Sequence, residues 1–242
     1  MMLLRQELRE PASYNSVLSA IASGATSPKR IAEAAGIEQT SVGKYPKTLE
    51  ALALVKRIVP FGENPEKSRK SLYVVRDPFF AYWYRFANPN VGTIESGAGQ
   101  AAARATAFGD AFSTHVGKRF ENICLQWLAR QNRSGKLPFA ASSFGQWWGA
   151  DPAAREQADI DVIAADKPSK QILLGECKWR NTFDETEALE KLEARATLMK
   201  GYDRRYLALF TKQPIATATA RKMQHRDDFI FVSTHDLFED LQ

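Results

Sequence analysis

The stretch ADIDVIAADKPSKQILLGECKW, residues 158–179, alternates in character from Ala158 to Ala165, breaks over Asp166 to Lys170, and resumes from Gln171 to Trp179. Two runs of β-branched and apolar residues joined by a short polar turn read as an antiparallel hairpin. Along its second strand Ile172, Leu174, Glu176 and Lys178 share one face, so the charged pair lies roughly 6.6 Å apart and points one way. Asp161 closes the matching run on the first strand, where antiparallel pairing can set its carboxylate beside that of Glu176. Cys177 falls on the opposite strand face and reads as a small buried residue.

Two carboxylates brought together repel, and a divalent cation relieves the repulsion; an all-oxygen ligand set suits Mg2+ or Mn2+. Such an ion would acidify a bound water and offset charge on a scissile phosphate. Lys178 would orient the attacking water or neutralise the transition state. A third acid stands upstream. From Ala111 to Arg130 a long helix is expected, with Val116, Phe120, Ile123, Trp127 and Leu128 facing inward. Glu121 shares an apolar stripe with Cys124, Leu125 and Leu128, and a carboxylate there needs a cation, a partner or a proton unless it edges the stripe and reaches solvent. The candidate catalytic set is therefore Glu121, Asp161, Glu176 and Lys178, with Glu121, Asp161 and Glu176 as metal ligands.

Asp161, a hairpin and the E-x-K of Glu176 to Lys178 resemble the PD-(D/E)XK nuclease superfamily. The order of elements agrees with that resemblance: after the hairpin come a helix from Asp184 to Lys200, a strand from Tyr206 to Thr211, a helix from Pro214 to His225 and a strand from Phe229 to Thr234. The expected fold is α/β, with a restriction-endonuclease-like αβββαβ domain over residues 111–242 behind an N-terminal winged helix-turn-helix over residues 1–90.

The N-terminal expectation rests on a helix from Pro11 to Ala22, a short helix from Lys29 to Ala35 opened by Ser27 and Pro28 and closed by Gly36, and a third helix capped by Thr40 and Ser41 and running to about Val55. Pro46 requires a kink or a later start in that third helix. Strands at Leu54–Pro60 and Ser71–Val75 then enclose a wing containing Lys67, Arg69 and Lys70. In a helix-turn-helix the third helix enters the major groove while wing cations approach phosphates, which makes Thr40, Ser41, Lys44, Lys47, Lys67, Arg69 and Lys70 the candidate nucleic-acid contacts. Winged helices also dock proteins, so fold alone does not assign DNA. Charge points the same way as the wing: net charge is +5, and all of it lies before Val91, with 13 Lys plus Arg against 8 Asp plus Glu through Asn90 and 20 against 20 thereafter.

Between the two parts, RDPFFAYWYRFANPN at 76–90 is dense in aromatics and reads as a packing seam before base stacking, and 91–110 reads as a linker. Gly36 to Lys44 superficially resembles a phosphate loop. Six residues separate its glycines where four are needed, and Tyr45 stands where a hydroxyl would ligate magnesium, so no nucleotide site is expected in this chain. His115, His225 and His235 are too dispersed for zinc. Two cysteines cannot build a disulfide framework, no secretory leader opens the sequence, and no apolar run reaches roughly 18 residues, so a cytoplasmic protein without membrane contact is expected.

Five segments carry a closer resemblance: GKYPKTLEALALVKRIVP (43–60), SLYVVRDPFFAYWYRF (71–86), the pair Phe120 and Glu121, Trp147 to Gly149, and IDVIAAD with LLGECKW. In that order they resemble the C-terminal half of a family of predicted P-loop ATPases of archaea and bacteria, in which an AAA-type ATPase domain precedes a winged helix and a nuclease-like domain of unknown function. The resemblance implies acids at Glu121, Asp161 and Glu176 and a lysine at Lys178. It also implies DNA binding, a nuclease activity and an ATPase domain or subunit as partner, the ATPase domain itself lying outside these 242 residues; the DNA is expected to be double-stranded. Pro46 departs from the aliphatic residue usual in the family. Three readings follow: a Mg2+-dependent phosphodiesterase acting on DNA, a non-catalytic DNA-binding or regulatory module, and a protein-docking partner; a homodimer is compatible with each.

Overall fold

The computed structural model describes residues 10–107 and 109–239; the ends of the two expected domains, 1–9 and 240–242, lie outside the described residues. The chain divides into two compact units, one of Met1–Val59 with Glu63–Phe112 and one of Pro60–Gly62 with Ser113–Gln242.

In the first unit, helices α1 (Pro11–Ala22), α2 (Pro28–Ala35) and α3 (Lys44–Ala51) precede an antiparallel hairpin of β1 (Val55–Ile58) and β2 (Leu72–Val75). Val17, Leu18 and Ile21 from α1, Ile31 from α2, Leu49 from α3 and Val75 from β2 form its core. The third helix starts later than Thr40 and Ser41 would cap it. Ser41 and Val42 both donate their N–H to the Glu38 carbonyl in a preceding turn, and Gly43 is the residue before the helix. Proline explains the shift. Starting at Lys44 puts Pro46 in the first turn, where a backbone N–H has no helical partner to lose. The helix also ends before Val55. Ala53 takes a left-handed conformation (φ 57°), its N–H bonding to Glu50 and that of Leu54 to Leu49 in a Schellman arrangement.

After β2 comes α4 (Pro78–Tyr82), capped by Asp77, and then irregular helical turns through residue 98. Residues 91–107, expected as linker, are almost wholly helical and end in α5 (Gly99–Ala107).

The second unit is a five-stranded mixed sheet with helices on both faces. Helix α6 (Asp110–Arg133) leads into β3 (Ser143–Asp151), β4 (Glu156–Asp166) and β5 (Gln171–Lys178), all antiparallel; α7 (Glu185–Ala196), β6 (Arg204–Thr211), α8 (Thr217–Met223), β7 (Phe229–Ser233) and α9 (Thr234–Glu239) follow, with β5, β6 and β7 parallel. Strands covered on both sides read as nearly continuous apolar runs, which is why β5 is ILLG before its charges begin. Phe120, Cys124 and Leu128 of α6 pack on Val162, Ala164 and Leu173, while Leu192 and Ala196 of α7 pack on Ile163, Ile172 and Leu174 from the other side. Ile123, expected inward on α6, is 37% exposed because it falls off the Phe120, Cys124 and Leu128 stripe.

Candidate active site

The candidate site forms where two strands part. β4 and β5 pair from Asp166–Gln171 up to Val162–Gly175, and the next step of that register would set Asp161 opposite Glu176. Pairing stops there. On its other edge β4 carries an irregularity: Trp147 of β3 faces Ile160 and Gly145 faces Ile163, so Asp161 and Val162 together oppose the single residue Gln146. A bulge of this kind bends the strand and re-aims its side chains. The Cys177 N–H, left without a strand partner at the gap, is taken by the Asp161 carboxylate, which accepts it at 2.8 Å.

Each flanking helix sends one charged side chain from its inward stripe. On α6 the stripe Gly117, Glu121, Cys124 and Leu128 carries Glu121, and the neighbouring Lys118 brings Nζ to 2.8 Å from Oε1 of Glu121. Gln146 donates to Oε2 of Glu121 at 3.1 Å from β3. On α7 the stripe Ala188, Leu192 and Arg195 carries the guanidinium. Its Nη1 stands 3.3 Å from Oε2 of Glu176 and 3.1 Å from Oδ1 of Asp159. Lys178 completes the set, with Nζ 2.5 Å from Oε1 of Glu176. Glu121, Asp159, Asp161 and Glu176 thus face Lys118, Lys178 and Arg195.

Burial makes this charge expensive. The Glu176 side chain is 9% exposed and that of Glu121 14%. Burial pushes the Glu121 carboxyl above its ordinary range, and Lys118 and Gln146 pull against the shift. Asp161 is pushed well above the usual carboxylate range, by desolvation first and then by the negative charges of Glu176 and Glu121. Among the described residues Asp161 is the acid of this pocket that forms no salt bridge. The Cys177 thiol is likewise pushed up by burial, beside Cys124 in the core.

The donor chemistry fits a divalent cation: an all-oxygen set in which one carboxylate lacks a positive partner and is raised by two others. The acids are nevertheless drawn onto their cations. Among the described residues, the three ligand-type side chains whose donor atoms lie within 4.8 Å of one another are instead His235, Asp236 and Glu239 of α9, all exposed. Of these, His235 and Glu239 form a one-turn pair at 3.0 Å, and Asp236 accepts from the backbone and hydroxyl of Ser233.

The expected nucleic-acid residues are all at the surface of the first unit. Thr40 and Ser41 lie in the turn before α3, and Lys44 and Lys47 on its first turn. Arg57 of β1 organises the hairpin loop, donating to the carbonyls of Pro65 at 2.5 Å and Ser68 at 3.0 Å. Lys70 pairs with Glu63 at 2.8 Å, and Lys44 lies 3.6 Å from Glu10. Lys67 and Arg69 flank Ser68 and are exposed.

Residues 83–195 match the family model DUF234, described as archaea bacterial proteins of unknown function. That span takes in Glu121, Asp159, Asp161, Glu176, Lys178 and Arg195. The uncharacterized protein MJECL04 of Methanocaldococcus jannaschii is 29% identical over 182 residues, which are 75% of this chain and 39% of that protein, so the chain spans well under half of its relative. Among solved structures, an O-methyltransferase (NcsB1) from neocarzinostatin biosynthesis in complex with S-adenosyl-L-homocysteine aligns over 96% of this chain and 65% of its own at 16% identity and a TM-score of 0.25. No described helix is long and apolar enough to cross a membrane.

Sequence reasoning missed Asp159, Gln146, Lys118 and Arg195. Asp159 had a signal, standing two residues before Asp161 on the same strand. Arg195 had one too, a cation on the stripe of Ala188 and Leu192. Gln146 becomes a site residue only through the bulge, which no local pattern announces.

Proposed function

We propose that this chain binds double-stranded DNA through a winged helix-turn-helix in its first unit and hydrolyses phosphodiester bonds with a PD-(D/E)XK-type site in its second. The observation that carries the reading is Asp161 at the parted strands, with Glu176 one register step across, Lys178 two residues beyond it on the same strand, and Glu121 arriving from α6. A protein gains nothing in stability by collecting four acids in a half-buried gap, and groups destabilised in this way mark sites kept for chemistry. Glu121, Asp161 and Glu176 would hold Mg2+ or Mn2+, and the ion would supply an acidified water and charge neutralisation at the scissile phosphate. Lys178, whose ammonium lies against Glu176, would orient a nucleophile or meet charge developing on a phosphoryl oxygen. Lys67 and Arg69, on a loop ordered by Arg57, would bind backbone phosphates beside a duplex engaged by α3 through Thr40, Ser41, Lys44 and Lys47. The expected partner in the cell is an ATPase domain or subunit, by the resemblance of five segments to the C-terminal half of such proteins.

The test is incubation of the full chain with supercoiled, linear and single-stranded DNA in Mg2+ or Mn2+, beside Glu176→Ala and Lys178→Ala. Cleavage by wild type that either substitution abolishes is the expected result. Salt-sensitive binding without cleavage of any substrate would replace the hydrolase with a DNA-binding module.

A further inference from the structure

Arg195 belongs to none of the roles assigned so far. It emerges from the inward stripe of α7, which packs through Leu192 on the sheet face carrying Ile172 and Leu174. Its side chain is only 19% exposed, and the guanidinium reaches both Glu176, at 3.3 Å, and Asp159, at 3.1 Å. Its neighbour Lys191 makes the contrast plain, being 58% exposed and paired with Glu187 one turn back on the same helix. Arg195 therefore crosses the face of the sheet to serve the acid pocket, where three cations stand against four carboxylates.

From this geometry we infer that Arg195 is a built-in counter-cation of the acid pocket, holding the Oε2 side of Glu176 in the metal-free protein, opposite Lys178, and competing with a divalent cation for it. The inference rests on the metal-binding reading of Glu121, Asp161 and Glu176. It also accounts for an observation that reading leaves over, namely that these acids are drawn apart onto cations instead of being gathered on one point. A guanidinium is charged at every working pH, so the hold is released by competition and not by titration. An ion arriving at Asp161, the acid of the pocket without a salt bridge among the described residues, must draw the Glu176 carboxylate from Arg195. The affinity measured for the metal is then lower than the acids alone would give. A residue that merely braced Glu176 would have the opposite effect, since its removal would loosen a ligand and weaken the metal.

Titration of MnCl2 into the full chain without DNA, followed by calorimetry, separates these signs. Arg195→Ala, and Arg195→Met to retain the aliphatic packing, are expected to bind Mn2+ at least about five-fold more tightly than wild type. Arg195→Lys should fall near wild type, and Lys191→Ala should leave affinity unchanged. Glu176→Gln serves as the reference for the site itself. If Glu176→Gln loses Mn2+ while Arg195→Met binds it equally or more weakly than wild type, the competing role is overturned and the metal site stands. If wild type and Glu176→Gln bind Mn2+ alike, the ion is not held at Glu176, and the metal reading and this inference fall together.

Discussion

The hairpin loop of the first unit and the strand gap of the second handle charge in opposite ways. In the loop, Arg57 binds two carbonyls and Glu63 accepts from Ser68 and Lys70, so these polar groups fix the loop while Lys67 and Arg69 stay exposed. In the gap, carboxylates are drawn under cover and satisfied in part, by Lys118, Lys178, Arg195 and the Cys177 N–H. Exposed cations keep their hydration and act at long range, giving binding that salt weakens. Buried acids lose hydration and gain reactivity in exchange for stability. Under the proposed function, one region would serve attachment and the other chemistry.

That contrast can be broken most forcefully inside the pocket. Glu121→Gln, at the covered side, is expected to reduce DNA cleavage by about 100-fold or more, whereas Asp159→Asn, whose parent side chain is 56% exposed, should cost less than about ten-fold. Steady-state cleavage rates at saturating Mg2+ check the order; equal losses would mean that cover does not separate the two roles.

The next effect belongs to the loop. The double variant Lys67→Ala, Arg69→Ala should weaken duplex binding several-fold and flatten the slope of log affinity against log salt by about 1 for each phosphate no longer neutralised, without altering the folded pocket. Fluorescence anisotropy over a salt series reads this directly. An unchanged slope would remove the loop from the interface.

Smaller still is a backbone effect remote from both. Ala53 holds the left-handed position that ends α3, where a Cβ is strained, and Ala53→Gly should stabilise the chain by about 0.5–1 kcal/mol in urea unfolding. Destabilisation would show that the methyl is making contacts which outweigh the strain.

Legibility in the sequence followed the range of the forces involved. The hairpin at β4 and β5 was readable because period-two alternation and a polar turn are local; Glu121 stood out as a carboxylate on an apolar helical stripe, a pattern that by itself left it free to edge the stripe and reach solvent. The five-stranded α/β sheet followed from the order of such elements. The start of α3 was partly readable, through Pro46, although Thr40 and Ser41 looked like caps and are turn residues. What no local pattern carried was the bulge that sets Asp161 and Val162 against Gln146, since a bulge is a property of two strands and neither announces it alone. The partners that hold the acids apart were equally out of reach: Arg195 lies 19 residues beyond Glu176 and meets it only because α7 folds back over the sheet.

The central claim is that Asp161 is an acid kept unstable for the sake of a cation. Thermal melting of wild type and Asp161→Asn, each with and without Mn2+, tests it most directly, because the amide can still accept the Cys177 N–H and the substitution removes little but charge. Since burial and two neighbouring acids raise the carboxyl in the folded chain, its ionised form opposes folding. The metal-free variant should therefore melt higher than wild type at neutral pH, with an advantage that fades as pH falls toward the ordinary value of 3.8. Saturating Mn2+ should raise wild type and leave the variant where it was. A variant that melts lower without metal, or gains as much from Mn2+ as wild type does, would contradict the account.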